Sequence, residues 1–83
     1  MAKIRVEGRL EEDRGVLVCS GEDLDEGISW ARDEASGQTF VVLEHISAED
    51  VRGQTQHSGR YFGIRLFASR DALPAVGRVL DVA

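Results

Sequence analysis

The chain has one cysteine, one proline, one tryptophan and one tyrosine in 83 residues, and each scarcity closes off a class of protein. A single thiol, Cys19, excludes an internal disulfide and any cysteine-rich metal knuckle, and it fits a reducing compartment. No apolar stretch approaches the ~20 residues that a membrane-spanning helix needs. The glycine motifs that cradle phosphates, G-x-G-x-x-G and the Walker sequence, do not occur. Basic residues are almost missing from positions 11 to 50, which hold only Arg14 and Arg32 of the ten in the chain. Twelve of the fifteen carboxylates lie in that same stretch, so it carries a net charge of -10 while the two flanks together carry +5.

What is present reads as one small globular domain spanning residues 1–83. A chain of this length buries about 60 to 65% of its unfolded surface, which leaves no room for separate substrate and cofactor domains. A composition of 42% hydrophobic and 30% charged residues, with no biased run, belongs to folded chains and not to disordered ones. Met1, Ala2 and Lys3 lead directly into an alternating segment, so neither a signal nor a transit peptide is expected and the expected location is the cytoplasm.

Lys3 to Glu11 alternates strictly, placing Ile4, Val6, Gly8 and Leu10 on one face of a half-buried strand. A turn containing Gly15 then returns the chain as a second strand, Val16 to Cys19. The segment from Ser20 to Gly37 supports two readings. As a helix at about 22–35 it has Ser20 as its cap and a stripe of Leu24, Ile28, Ala31 and Ala35. As a hairpin, the preferred reading, Ile28 and Trp30 share a face of a short strand, and residues 33–37 connect it to the next, with Gly37 in a left-handed conformation. Thr39 to His45 is apolar on both faces and is expected to be a central strand. Ser47 to Val51 reads as one helical turn, and residues 53–59 as a polar, glycine-bounded loop. Arg60 to Ala68 is expected to be the last strand, with Phe62, Ile64, Leu66 and Ala68 toward the core. Leu73, Val76, Leu80 and Ala83 recur at helical spacing, predicting a C-terminal helix with Pro74 in its first turn. The expected fold is mainly β (α+β): a small curved antiparallel sheet or open barrel of about five strands with a C-terminal helix. The alternative is ββαββα.

No constellation for catalysis emerges. Cys19 lies between apolar neighbours, an environment that makes a thiol inert, and no motif surrounds His45 or His57. Glu22, Asp23, Asp25 and Glu26 lack the alternating ligand spacing of a calcium loop, so no metal, cofactor or catalytic residue is expected.

Two partial resemblances bear on ligands. Residues 60–67 match four of the seven specified positions of the aromatic signature strand of RNA-recognition motifs, at Arg60, Phe62, Gly63 and Phe67. Ile64 replaces the second stacking aromatic, the chain opens with a hairpin, and its net charge is -5, so direct nucleic-acid binding is not expected. Strands followed by Tyr61-Phe62-Gly63-Ile64-Arg65-Leu66 and a terminal helix look like the end of PilZ domains, small barrels that bind cyclic di-GMP. Arg5 and Arg9 have the spacing of that family's arginine pair, and residues 23–27 resemble its Asp-x-Ser-x-x-Gly turn, with Asp25 in place of the serine and the glycine one residue early. The resemblance implies a nucleotide-type ligand held by Arg5, Arg9, Tyr61 and Arg65.

The acidic stretch supports a different expectation. In a meander, Glu11, Glu12 and Asp13 join Asp33 and Glu34 at one end of the sheet, while Glu22, Asp23, Asp25 and Glu26 join Glu49 and Asp50 at the other. Two carboxylate clusters a strand length apart could imitate spaced phosphates toward a protein with a basic surface, including one that binds nucleic acid. The chain is therefore expected to be a non-catalytic acidic protein-binding module, a small regulator or inhibitor of the kind that mobile elements carry. Trp30 is a further interface candidate. No membrane partner is expected, and a homodimer is compatible with the same features.

Overall fold

The computed structural model describes residues 2–11, 15–21, 27–46, 51, 61–67 and 69–83, with the backbone alone for residues 67 and 70. Among the described residues, six strands run in the order β1 (Ala2–Glu11), β2 (Val16–Ser20), β3 (Trp30–Asp33), β4 (Thr39–Ile46), β5 (Tyr61–Phe67) and β6 (Val79–Val82). They form a closed barrel of spatial order β1-β2-β5-β4-β3-β6, every neighbouring pair antiparallel. The antiparallel β class agrees with the sequence, but the barrel is closed where an open one was expected, has six strands, and is not a meander. β5 inserts beside β2, and β6 joins β3 back to β1.

The largest departure is the C-terminal helix. The chain makes one 3₁₀ turn at Arg70–Ala72, takes a left-handed conformation at Gly77 (φ 91°) and then enters β6. The helical spacing of Leu73, Val76, Leu80 and Ala83 is therefore not used: Leu73 and Leu80 are buried while Val76 is 60% exposed. Backbone pairing decides against the helix. Without β6, β1 and β3 would both end the sheet with unpaired N–H and C=O groups, and Val79–Val82 satisfies both edges while Leu80 and Val82 enter the core. The alternative helix at about 22–35 is likewise excluded over its second half, because Trp30–Asp33 is a strand and residues 34–36 form a turn.

Inside the barrel, Ile4, Val6, Leu17, Cys19, Ala31, Phe40, Phe62, Ile64, Leu66, Leu80 and Val82 make the core. The strict alternation expected along β1 ends at Val6, since register shifts at Val6/Gly8 and Arg9/Glu11 insert extra residues. A second apolar layer lies outside the wall. Val16 and Val18 alternate with the core-facing Leu17 and Cys19 yet are fully buried, and Gly63 lets Ile46 and the helical Val51 close over the strand: a Cβ there would stand 3.2 Å from Ile46 and 3.3 Å from Val51. The remainder of the helical turn expected at 47–51, the loop expected at 53–59, and Ala68 lie outside the described residues.

The hairpin reading holds between β3 and β4. Asp33 N–H donates to the Gln38 carbonyl, Gly37 N–H donates back to the Asp33 carbonyl, and Gly37 has φ 74°. Gly15, expected in the first turn, has φ 72°, but its surroundings differ. Added Cβ atoms would meet nothing within 4 Å at Gly37, whereas at Gly15 one would stand 3.0 Å from Leu73 and 3.2 Å from the Leu66 carbonyl. Left-handed backbone costs an L-residue about 1–2 kcal/mol. Gly37→Ala should therefore lose about that much stability in urea unfolding, and Gly15→Ala clearly more; equal losses would show that Leu73 does not pack on the first turn.

Candidate functional site

Charged residues on the wall are mostly tied to one another. Across β1, β6 and β3, Asp81 lies between Lys3 at 3.8 Å and Arg32 at 3.3 Å, and Lys3 also pairs with Glu34 from the β3–β4 turn. The Glu34 carboxylate and, less strongly, Asp81 raise the affinity of the Lys3 amine for its proton. On the opposite wall, Arg65 reaches Glu11 and Glu44, each at 3.8 Å. Asp33 is 5% exposed, and its carboxylate accepts from the Arg78 guanidinium at 2.8 Å and from the Ala35 N–H at 3.1 Å. Of the acidic residues proposed to face a partner, Glu11, Asp33 and Glu34 are thus each paired with a cation of the barrel itself. Glu12, Asp13, Glu22, Asp23, Asp25 and Glu26 lie outside the described residues, as do Glu49 and Asp50.

Strand directions do place Glu11 and Asp33 at the same end of the barrel. They do not adjoin, however: β6 lies between their strands along one arc and β2, β5 and β4 along the other, and Asp33 is level with Leu80 and Ile4, seven residues before Glu11 on β1. A single carboxylate cluster of Glu11 with Asp33 and Glu34 is therefore not formed.

The arginines of the nucleotide reading are also dispersed. Arg5 lies in register with Ser20, which is opposite Tyr61, near the end of the barrel where β5 begins. Arg9 is opposite the core residue Leu17 and donates to the Pro74 carbonyl at 2.7 Å. The bulge at Glu7 separates the two arginines that uniform alternation would have placed on one face. Arg65, opposite Val16, is held between two carboxylates. Phosphate recognition needs converging donors, and these three do not converge.

Sequence reasoning missed an apolar outer strip. Trp30 pairs with Val41 across β3 and β4, and Val41 and Leu43 are 55% and 56% exposed, so β4 does not bury both its faces. The phase shifts between residues 28 and 31: Ile28 enters the core while Trp30 is half-buried on the outer wall beside Val41, so the two do not share a face. The signal was the alternation of Thr39, Val41 and Leu43 with Phe40 and Val42, which reads equally well as two buried faces.

The remaining candidates are packed inward. The His45 ring stacks on Phe62 at 5.2 Å and 14°. Cys19 is fully buried, and desolvation, with the Glu7 charge as a lesser cause, pushes its thiol far above the usual range. Among the described residues, no group of three or more His, Cys, Asp or Glu side chains could hold a metal ion, and no helix is long and apolar enough to cross a membrane. Neither protein-family models, nor curated proteins, nor solved structures gave a match to the chain.

Asp33 supplies a pH test of the mouth. Burial pushes its pKa upward, but hydrogen bonds from Ala35, Arg78 and Ser36, with the Arg78 charge, outweigh burial and hold it below the ordinary value. A carboxylate depressed in the folded state adds stability that is complete above its unfolded pKa of about 3.9 and is lost as pH falls through the folded value. Asp33→Asn should lower the melting temperature at neutral pH and narrow its gap to the parent under acid; an unchanged gap would remove Asp33 as a titrating clasp.

Proposed function

We propose that this chain is a non-catalytic binding domain that presents its acidic stretch to a protein with a basic surface. The observation that carries the reading is the segregation of charge along the sequence, -10 in residues 11 to 50 against +5 in the flanks. Pairing within the barrel sharpens it. Glu11, Asp33 and Glu34 are partly neutralised by Arg65, Arg78 and Lys3, so the reading rests chiefly on Glu22, Asp23, Asp25 and Glu26 between β2 and β3. Four carboxylates within five residues create a local field that speeds encounter with a cationic surface. Imitation of nucleic-acid phosphates, and through it inhibition of a nucleic-acid-binding protein, is the specific form of this role.

The test is affinity capture with the parent chain, followed by association kinetics with the recovered partner. Replacing Glu22, Asp23, Asp25 and Glu26 by their amides should slow association about 10-fold or more while shifting the melting temperature little. Raising salt should slow the parent similarly, because the Debye length falls from about 10 Å at 0.1 M to about 3 Å at 1 M. Equal binding by parent and amide variant at low and high salt would overturn the reading. Cyclic dinucleotides at millimolar concentration should leave the melting temperature unchanged; a rise of several degrees would favour the nucleotide-binding barrel instead.

A further inference from the structure

The barrel treats its two apolar outer surfaces differently. Over β2 and β5 the valines are covered: Val16 and Val51 are 0% exposed and Val18 is 1%. Over β3 and β4, Val41 and Leu43 stay more than half exposed beside a half-buried Trp30. Two side chains of opposite sign flank this second strip. Arg32, opposite Thr39 at one end, has a side chain 47% exposed, and Glu44, at the other end, has one 57% exposed. The levels of Thr39 and Glu44 lie about 13 Å apart along β4, four steps of ~3.3 Å, because the register shift between Val42 and Glu44 makes Leu43 an extra residue.

We propose that the outer face of β3 and β4 is the interface of a twofold-symmetric homodimer of this chain. A twofold contact requires a self-complementary patch. An axis lying in the plane of the contact, perpendicular to the line from Arg32 to Glu44 and crossing it midway, places each Arg32 against Glu44 of the other copy, with Trp30, Val41 and Leu43 between the two ion pairs. That match of sign with itself is the reason a second copy fits. The strip is locally neutral, so the charge of -5 on each chain is not concentrated at the contact. Both charges are already oriented, Arg32 by Asp81 at 3.3 Å and Glu44 by Arg65 at 3.8 Å, which reduces the ordering cost of association. A stable dimer needs roughly 600 Å² from each copy, about one-eighth of the 4971 Å² surface. The inference uses no carboxylate between residues 22 and 26, so it stands or falls separately from the acidic docking role.

Charge reversal distinguishes this arrangement from any unsymmetrical one. Sedimentation equilibrium should show a concentration-dependent dimer for the parent. Arg32→Glu and Glu44→Arg should each raise the dimer dissociation constant at least ~10-fold, since each variant sets two like-charged pairs face to face. Mixing the two variants should restore a one-to-one dimer. One end of the mixed dimer keeps the parent pair, and the other sets the introduced carboxylate of one variant against the introduced guanidinium of the other. Val41→Thr, which keeps a β-branched residue in the strand, should weaken the parent dimer without unfolding the barrel. A parent that stays monomeric at millimolar concentration would overturn the proposal. So would a mixture that associates no better than either variant alone, with circular dichroism confirming that both remain folded.

Discussion

Everything in this barrel depends on a four-residue strand that pairs on both sides. β6 exchanges backbone hydrogen bonds with β1 through Ala2↔Val82 to Arg5↔Val79, and with β3 through Ala31↔Val82 to Asp33↔Leu80. Beyond the strand, the Ala83 carbonyl accepts from Ser29 N–H at 2.7 Å and Trp30 N–H at 3.1 Å. Unpaired backbone groups in a buried sheet cost free energy comparable to lost hydrogen bonds, so one short segment removes two liabilities at once. Its approach is fastened at several points: Gly77 N–H donates to the Val6 carbonyl at 2.7 Å, Val6 N–H donates to the Arg78 carbonyl at 2.9 Å, and the Arg78 side chain reaches Asp33. The seal at that end is apolar as well, because Leu73 packs against Gly15.

Closure also explains the charge pattern of the wall. In a twisted antiparallel barrel, outward residues of neighbouring strands stand in transverse rows, and cross-strand pairs of opposite charge stabilise where like charges would repel. Lys3, Asp81 and Arg32 follow this rule over three strands, and Arg65 with Glu44 follows it on the far side, where Arg65 also reaches Glu11 across Val16 of the intervening β2. These pairs are part-exposed and screened by solvent, so their value lies in register more than in stability. A one-residue slip of β6 against β1 would carry Asp81 away from Lys3 and move Leu80 out of the core at the same time.

Local features were legible in the sequence and long-range ones were not. The Gly15 and Gly37 turns, the inward set Phe62, Ile64 and Leu66, and the inward start of β1 follow from glycine chemistry and a period of two, both of which act within a few residues. Misreadings arose where distant pairing overrode local pattern. Leu73, Val76 and Leu80 fall at helical spacing, but the open edges of β1 and β3, far upstream, draw Val79–Val82 into a strand. The bulge at Glu7 moved Arg9 opposite Leu17, a displacement that no spacing between the two arginines can reveal. β4 was read as buried on both faces because apolarity alone does not say whether a covering layer exists, and the barrel supplies one over Val18 but none over Val41.

A closed barrel restricts how anything can bind to it. With every strand paired on both sides over part of its length, addition of a partner strand is disfavoured, and recognition falls chiefly to side chains of the outer wall or to the connections at the two ends. Those two kinds of surface have different physics. Contact through clustered carboxylates is governed by long-range fields and fades as salt rises, whereas contact over Trp30, Val41 and Leu43 draws on removal of apolar area from water, about 25 cal/mol per Å², and is little screened. In the sequence, the clustered carboxylates at positions 22–26 and the strip residues Trp30, Val41 and Leu43 are different residues, so the two kinds of contact can be altered separately. Were the proposed dimer and the proposed acidic docking both to hold, each dimer would carry two acidic segments, and such bivalency would raise effective concentration toward any partner that offers two basic sites.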